Sequence, residues 1–407
     1  MIERNEGFAN LTAGYLFPEV AKRRREYQAA HPEAKIISLG IGNTTEPLTP
    51  HIMQAMVDYA KGLGTKEGYS GYGDEQGNTV LRSKIAEKLY PGMASADEVF
   101  ISDGAKCDIA RIQTLFGSKT KIAVQDPAYP VYVDGSVITG AAGKNDGNGY
   151  KGVTYLPCTE ENGFFPDLSK IGKDTLIYFC SPNNPTGVAS TRDQLKKLVD
   201  FANDNGCIII YDSAYYAFIR DNSIPKTIYE IEGARKCAIE INSFSKLAGF
   251  TGVRLGWSVV PADIKFADGT PVKQDWNRVA TTLFNGASNI VQAGGLACLD
   301  DEGMKETKGL VDYYLENAKL MEKTLKGENF ASRNVKVFYT GDSPYLWVKF
   351  TGWKSWDIFD LILDKCNVVT TPGSGFGPAG ESYLRFSCFG HRADVEEACN
   401  RLSKFEF

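Results

Sequence analysis

Histidine is scarce in this 407-residue sequence, and its cysteines form no recognisable motif. Three histidines, His31, His51 and His391, are few for a histidine-based metal site or a Ser-His-Asp triad. The nine cysteines are scattered, odd in number and without a C-x-x-C pair, which is typical of reduced thiols in a cytosolic protein. We therefore predict no zinc ribbon, no disulfide scaffold and no metal site.

Long apolar runs are also missing. No stretch approaches the 18 residues that a transmembrane helix needs, and residues 1–10 are polar and lack the apolar core of a secretory signal. The net charge of −5 argues against general binding to nucleic acids or anionic membranes. With 43% hydrophobic residues the chain can still bury a substantial core. The scattered cysteines and the absence of a secretory signal lead us to expect a cytoplasmic protein.

The regular feature of the sequence is an alternation of short apolar runs with segments of helical spacing. Strands are predicted at 99–102, 122–124, 176–180, 207–211 and 237–241. This alternation predicts an α/β fold with a mostly parallel sheet and right-handed crossovers. After about residue 300 the pattern becomes that of a smaller α+β lobe. We assign 1–45 to an N-terminal arm belonging to the small domain, 46–303 to a large domain and 304–407 to the C-terminal small domain.

Several residues with useful chemistry come directly after predicted strands. In sheets of this kind, ligands bind beyond the carboxyl ends of the strands. A strand that turns through glycine into a helix, as before Ala105 and Lys106, also forms a ready anion site. We therefore expect one rim of the sheet to gather Gly104, Tyr129, Asn184, Asp212 and Lys246.

Residues 243–257 indicate which ligand that rim would hold. Lys246 follows an apolar strand, where a lysine is costly to bury unless it is paired or takes part in chemistry. An amine in such a pocket has a lowered pKa and can attack a carbonyl. The hydroxyls of Ser243 and Ser245 and the guanidinium of Arg254 suit a phosphate monoester. Together they favour pyridoxal phosphate, whereas the plainer alternative is a surface lysine in a loop.

Other residues of the rim each have a role beside such a cofactor and a plainer alternative. Asp212 can pair with the pyridine nitrogen, or it can cap a helix. Tyr215 and Asn184 can reach the phenolate oxygen of the cofactor. Tyr129 can stack on the ring, or it can fill a turn bounded by prolines. Arg385, in an apolar strand, can clamp a substrate carboxylate or form an internal salt bridge.

The order and spacing of these motifs along nearly the whole chain resemble the class I and II aminotransferases of fold type I. The matching motifs are Asn-Pro-Thr-Gly at 184–187, Asp212-x-x-Tyr215, Ser243-x-Ser-Lys246, Arg254 and Arg385. The resemblance implies a homodimer with its sites at the subunit interface. Lys246 would form the Schiff base with pyridoxal 5'-phosphate and carry the proton between substrate and cofactor. Tyr72 would reach the phosphate of the neighbouring subunit's cofactor. Arg385 would bind the α-carboxylate, with Asn184 and Gly42 nearby.

A narrower likeness is to the LL-diaminopimelate aminotransferase branch, through segments 13–19, 40–47, 69–77 and 102–108. It implies the reversible conversion of LL-2,6-diaminopimelate and 2-oxoglutarate to tetrahydrodipicolinate and glutamate, in lysine and cell-wall precursor biosynthesis. Glu75 would then take the distal ammonium, and Asn285 or Lys106 the distal carboxylate. Tyr15 would close the site from the neighbouring chain. Lys106 replaces the small hydroxyl residue of many aminotransferases, which fits this branch. Asn43 stands where an aspartate is expected.

Three alternatives stay open beside this reading. Another aminotransferase, of the aspartate or aromatic type, or a pyridoxal-phosphate lyase would share the lysine, the aspartate and the arginine. A transcription regulator with an aminotransferase-like domain would need a DNA-binding module, and the first 35 or so residues show no helix-turn-helix pattern. A nicotinamide-binding enzyme would need G-x-G-x-x-G after the first strand, which is missing.

Overall fold

The computed structural model describes residues 1–12, 16–147 and 149–406, and within these ranges two sheets carry most of the strands. The strands are β1 (Ile37–Ser38), β2 (Val99–Ser102), β3 (Lys121–Asp126), β4 (Val153–Pro157), β5 (Thr175–Cys180), β6 (Ile208–Asp212), β7 (Ala238–Ser243), β8 (Gly256–Val259), β9 (Val335–Phe338), β10 (Tyr345–Phe350), β11 (Val368–Val369), β12 (Thr371–Pro372) and β13 (Tyr383–Ser387).

Helices cover both faces of the larger sheet and pack around the smaller one. They are α1 (Glu6–Asn10), α2 (Leu16–Ala30), α3 (Pro50–Gly62), α4 (Thr79–Leu89), α5 (Ala105–Ile112), α6 (Val131–Ile138), α7 (Arg192–Asp204), α8 (Phe244–Leu247), α9 (Val272–Leu283), α10 (Asn289–Ala297), α11 (Asp301–Leu325), α12 (Glu328–Ala331), α13 (Ser355–Cys366) and α14 (Arg392–Ser403). Among the described residues, no helix is both long enough and apolar enough to cross a lipid bilayer.

The larger sheet has the strand order β2-β8-β7-β6-β5-β3-β4 and is parallel except for β8, which runs antiparallel to both of its neighbours. This confirms the mostly parallel α/β sheet expected from the sequence. The predicted strands are present, whereas β4 and β8 were not predicted. β8 escaped notice because Gly256–Val259 reads as the end of a glycine-rich loop.

Burial on both faces explains why the central strands read as continuous apolar runs. All residues of β5 and β7 are buried, because one hydrophobic cluster packs on each side of the sheet. Asp212 and Ser243 are polar residues that end their strands, and both are buried. A buried polar residue at the carboxyl end of a strand needs a partner there, which directs attention to this edge of the sheet.

The smaller sheet is built from the C-terminal part of the chain, and a separate two-stranded pair ties the N-terminal part to it. Its strand order is β12-β13-β10-β9, all antiparallel, and β1 pairs with β11 beside it. Residues 368–372 thus form two short strands rather than one, because β11 and β12 pair with different partners. Leu16 and Val20 of α2 are buried in the hydrophobic cluster of this lobe. The domain limits at 45/46 and 303/304 stay predictions.

Candidate active site

A cavity of about 520 Å³ opens where the carboxyl ends of the parallel strands meet the smaller sheet. Its volume lies within the range of ligand pockets in proteins. Twelve of the residues singled out in the sequence line this one cavity: Gly42, Ala105, Lys106, Tyr129, Asn184, Asp212, Tyr215, Ser243, Ser245, Lys246, Arg254 and Arg385. We call it the rim cavity.

Lys246 reaches the rim cavity from a short helix rather than from the strand end itself. After β7, the Ser243 side chain accepts a hydrogen bond from the Ser245 backbone N–H at 3.0 Å and so begins α8. Lys246 lies on this helix, and its Nζ donates a hydrogen bond to the Gly42 carbonyl. A Cβ at position 42 would overlap the Tyr345 hydroxyl, so only glycine allows this backbone to approach.

The electrostatics of the cavity favour the neutral amine. Burial lowers the pKa of Lys246 to about 7, and the positive charges of Arg385 and Arg254 act in the same direction. The ring centroid of Phe389 lies 5.2 Å from Nζ. Near neutral pH the Lys246 amine can therefore act as a nucleophile and can both accept and release a proton.

We expect the reactivity of Lys246 in the cofactor-free protein to rise with a midpoint near pH 7, because only the neutral amine is acylated. Trace labelling with acetic anhydride across pH 5–10, read by peptide mass spectrometry, measures this midpoint. Nα-acetyl-lysine amide in the same tube provides the control, since a solvated lysine titrates at about 10.4. A Lys246 curve that follows this standard would contradict the lowered pKa.

An anion-binding wall lies beside the lysine. Arg254 has a backbone φ of 70° and donates from Nη1 to the Thr251 carbonyl at 3.0 Å. Its guanidinium lies against Gly104, where a Cβ would overlap Nη2. No carboxylate of a described residue comes within 4.0 Å of Arg254. Hydroxyls of Ser243 and Ser245, 2.8 Å apart, and the N-terminus of α5 complete a surface suited to a phosphate.

A buried carboxylate faces the same cavity from the end of β6. Asp212 accepts hydrogen bonds from the Tyr132 hydroxyl at 2.7 Å and from the Ala214 backbone N–H at 3.1 Å. Burial raises the pKa of Asp212, and the Tyr132 hydrogen bond opposes that rise. No cation of a described residue lies within 4.0 Å of it. Asp212 is therefore placed to pair with a protonated ring nitrogen, which would supply the missing positive charge.

Arg385 forms the opposite wall, on β13 of the smaller sheet. Its side chain is 1% exposed and donates at 2.6 Å to the Asn184 side-chain oxygen and at 2.6 Å to the Gly40 carbonyl. The ring of Tyr345 lies 4.3 Å from the guanidinium carbon and that of Phe376 lies 4.9 Å away. No carboxylate of a described residue comes within 4.0 Å, so the internal salt bridge considered from the sequence is wrong.

Tyr215 meets a residue that the sequence did not suggest. Its hydroxyl lies 2.9 Å from the hydroxyl of Tyr345, on β10 of the smaller sheet. Tyr129 lines the same cavity, and its ring packs edge-on against Tyr132, with 5.9 Å between the ring centroids. Tyr132 and Tyr345 were missed because both lie within apolar segments, where tyrosine is an ordinary core residue. Only the packing of α6 brings the Tyr132 hydroxyl to Asp212, and only the placement of β10 brings the Tyr345 hydroxyl to Tyr215.

Three predicted residues do not line the rim cavity of their own chain. Tyr72 is 94% exposed, and Glu75 and Asn285 are exposed as well. A Cβ at Gly286, next to Asn285, would lie within 3.9 Å of the Glu75 Cα, so the two loops are neighbours. Tyr15 falls outside the described residues. The roles of Tyr72, Glu75 and Asn285 therefore stay predictions, since these side chains do not line the cavity of their own chain.

The residues present fit pyridoxal phosphate. Arg254 has no carboxylate partner among the described residues, and Asp212 is buried without a cation. Lys246 carries an amine whose pKa is about 7, so it is partly neutral at neutral pH. The phosphate of the cofactor would pair with Arg254, its protonated ring nitrogen with Asp212, and its aldehyde would react with Lys246. The Nε of Arg385, buried and without a hydrogen-bond acceptor, adds a further cationic wall for a substrate anion.

Comparisons with known proteins give a consistent result. The family profile described as "Aminotransferase class I and II" matches residues 34–402. A rice protein, "Probable LL-diaminopimelate aminotransferase, chloroplastic", is 55% identical over 406 residues, covering 99% of this chain and 86% of its own. The LL-diaminopimelate aminotransferase of Protochlamydia amoebophila is 50% identical over 404 residues, covering 99% and 97%. The solved structure of the L,L-diaminopimelate aminotransferase from Chlamydomonas reinhardtii is 57% identical with a TM-score of 0.94, covering 99% and 98%.

Proposed function

Since this chain belongs to the class I and II aminotransferase family, we propose that its reaction is that of an LL-diaminopimelate aminotransferase. It transfers an amino group from LL-2,6-diaminopimelate to 2-oxoglutarate and yields tetrahydrodipicolinate and glutamate, reversibly. The reaction belongs to lysine and cell-wall precursor biosynthesis. The aspartate and aromatic alternatives are less well supported, because full-length relatives at 50–57% identity carry the diaminopimelate name.

Pyridoxal phosphate is the cofactor that we propose for this reaction. When bound, it supplies an aldehyde that accepts the amino group and a ring that withdraws electrons from the substrate Cα. Arg254, Ser243 and Ser245 would hold its phosphate with the amides at the start of α5, and Asp212 would hold its ring nitrogen. Lys246 would hold the aldehyde carbon and then move the proton at the substrate Cα.

A single observation carries the proposal: an amine with a pKa near 7 and a buried guanidinium without a carboxylate face each other across one cavity. Every amino acid and every 2-oxo acid carries an α-carboxylate next to the reacting carbon. Arg385 can bind that carboxylate through its fork and so hold the carbon toward Lys246. Asn184, which accepts from Arg385 at 2.6 Å, keeps the guanidinium in this orientation.

Of the residues predicted for the distal end of diaminopimelate, Lys106 lines the cavity of its own chain, whereas Glu75 and Asn285 do not. We infer a homodimer in which Glu75 of one chain meets the distal ammonium in the cavity of the other. Asn285 or Lys106 would meet the distal carboxylate, and Tyr72 the phosphate. Support comes from the exposure of Tyr72, Glu75 and Asn285 and from the proximity of the two loops. The cytoplasmic location stays a prediction, and the rice relative is named as chloroplastic.

We expect glutamate to form from 2-oxoglutarate with LL-diaminopimelate at least 100-fold faster, in kcat/KM, than with aspartate or phenylalanine. Glu75→Gln is expected to reduce kcat/KM for LL-diaminopimelate about 10–100-fold, the effect of removing one charged partner, and to leave kcat/KM for glutamate itself within threefold. A coupled glutamate assay measures the rates with diaminopimelate, aspartate and phenylalanine, and a stopped-flow half-reaction without 2-oxoglutarate measures kcat/KM for glutamate. Glu67→Gln, an exposed carboxylate in the same region, is the matched control. Unchanged turnover of diaminopimelate in Glu75→Gln would contradict the Glu75 assignment.

A further inference from the structure

A second cavity of about 410 Å³ lies against one face of the large sheet, and no step of the proposed reaction uses it. Side chains alternate between the two faces of a strand, so along β7 Glu240 and Asn242 point to one face and Ser243 to the other. Glu240 and Asn242 line this second cavity, whereas Ser243 lines the rim cavity. We call the second one the distal cavity.

The opening of the distal cavity is cationic. Lys88, Arg220, Lys226 and Lys308 all contribute to its lining. Asp312 is shared by Arg220, at 2.6 Å, and Lys308, at 2.5 Å, so it balances only one of their two charges. Lys88 comes no closer than 4.0 Å to Asp301, whose side chain is fully exposed. The opening therefore keeps an excess of positive charge.

The buried acid on the floor does not cancel that excess. Glu240 is 0% exposed, and its two oxygens already accept from the Tyr90 hydroxyl at 2.7 Å, the Thr227 hydroxyl at 2.5 Å and the Ile228 backbone N–H at 3.1 Å. Burial raises the pKa of Glu240 to about 7, so a large part of it is neutral at physiological pH. A molecule in the cavity would therefore meet unbalanced cations at the opening, while the nearby carboxylates, Asp312 and Glu240, are already engaged by protein donors.

Apolar side chains form the remaining walls. They are Ile219, Leu247, Leu299, Met304 and Val311, which come from three separate parts of the chain. Such a cavity favours a molecule with an apolar body and one anionic end, because the body replaces water on the walls and the anion pairs at the opening. A zwitterion such as diaminopimelate has no apolar body to offer.

The distal cavity also touches the element that carries the proposed catalytic lysine. Leu247, next to Lys246 on α8, lines the distal cavity while Lys246 lines the rim cavity. α8 is a single turn, so a shift of Leu247 moves Lys246 with it. We propose that the distal cavity is an effector site for a small aromatic or branched aliphatic monoanion, whose binding alters the active site through α8.

The test uses the loaded enzyme and the fluorescent monoanion 8-anilinonaphthalene-1-sulfonate. We expect saturable binding that Lys226→Gln/Lys308→Gln weakens at least tenfold, because two cations at the opening are lost. Lys236→Gln/Lys305→Gln removes two exposed lysines outside the cavity and is expected to change Kd less than twofold. Equal Kd values for the two double variants would overturn the proposal, as would displacement of the probe by saturating substrates.

The effector part has its own readout. With the probe saturating, kcat or the KM for 2-oxoglutarate of the wild-type enzyme is expected to change at least twofold, and the Lys226→Gln/Lys308→Gln enzyme is expected to respond only at tenfold higher probe. Leu299→Trp, which fills the cavity, should abolish both binding and response. If Leu299→Trp does not fold, the Lys226→Gln/Lys308→Gln variant, whose substitutions lie at the surface, still tests both binding and response. Probe binding without any change in kinetics would overturn the effector role.

Discussion

Replacing Lys246 with alanine is expected to lower kcat for glutamate formation by about 10⁴-fold, the upper range for a positioned general acid–base group that also acts as a nucleophile. The reason lies in its surroundings. Burial and two guanidinium groups lower its pKa to about 7, so at neutral pH the amine exists in both forms. No other lysine that lines the cavity is placed this way, among the described residues, since Lys106 is exposed.

Steady-state assays with excess pyridoxal phosphate measure this loss. Lys106→Ala serves as the matched control: it removes an amine from the same cavity and is expected to affect KM more than kcat, with a loss under 10²-fold. Thermal unfolding of Lys246→Ala should show no loss of stability, because the substitution removes a buried cation that burial disfavours. Retention of more than 1% of the wild-type kcat in Lys246→Ala would contradict a catalytic role.

Subunit mixing separates the chemistry of Lys246 from the integrity of the fold. If each site combines Lys246 of one chain with Glu75 of the other, a dimer of one Lys246→Ala and one Glu75→Gln chain contains one intact site. Random reassortment then restores about a quarter of the wild-type sites. Lys246→Ala mixed with Arg385→Gln should restore none, because both residues line one cavity of the same chain. Equal recovery in the two mixtures would exclude a shared site.

The residues at the rim of the large sheet could be predicted from the sequence because their positions follow from the strands directly before them. A polar residue directly after a buried strand must lie at the carboxyl edge of the sheet, and parallel strands bring those edges together. Asp212 at the end of β6 and Lys246 just beyond β7 therefore met in one cavity without any knowledge of loop conformation. The apolar runs were equally informative, since strands covered on both faces carry little else.

Hydrogen-bond partners from other helices and strands could not be predicted in this way. The Tyr132 hydroxyl, in the first turn of α6, donates to Asp212, and the Tyr345 hydroxyl of the smaller sheet lies 2.9 Å from that of Tyr215. Each contact depends on how two elements pack, for which the sequence holds no periodic signal. Glu75 shows a different limit: its loop is exposed on its own chain, so even the fold of one chain does not bring it to a cavity.

Arg385→Gln is expected to lower kcat/KM about 10²–10³-fold for the amino donor and for 2-oxoglutarate alike, because both substrates present an α-carboxylate to the same guanidinium. Truncating one member of a buried, hydrogen-bonded charge pair costs about 2–5 kcal/mol. Glutamine retains a polar group toward Asn184 and Gly40. The substitution is therefore expected to weaken the binding of the substrate carboxylate and to leave the packing of the cavity wall intact. Stopped-flow measurement of each half-reaction gives the two losses separately.

Two further measurements make this prediction specific to the fork of Arg385. Arg385→Lys keeps a charge but loses the bidentate geometry, so it should recover less than a tenth of the wild-type kcat/KM. Removal of the charge in Arg385→Gln should also raise the labelling midpoint of Lys246 above its value near pH 7, since the Arg385 charge helps to lower that pKa. An amine donor without a carboxylate, such as cadaverine, should react equally poorly with wild type and Arg385→Gln. A loss of kcat/KM for only one of the two carboxylate substrates would contradict a common α-carboxylate site. The amino acid and the oxo acid place the same carboxylate on the same guanidinium, so both should be affected.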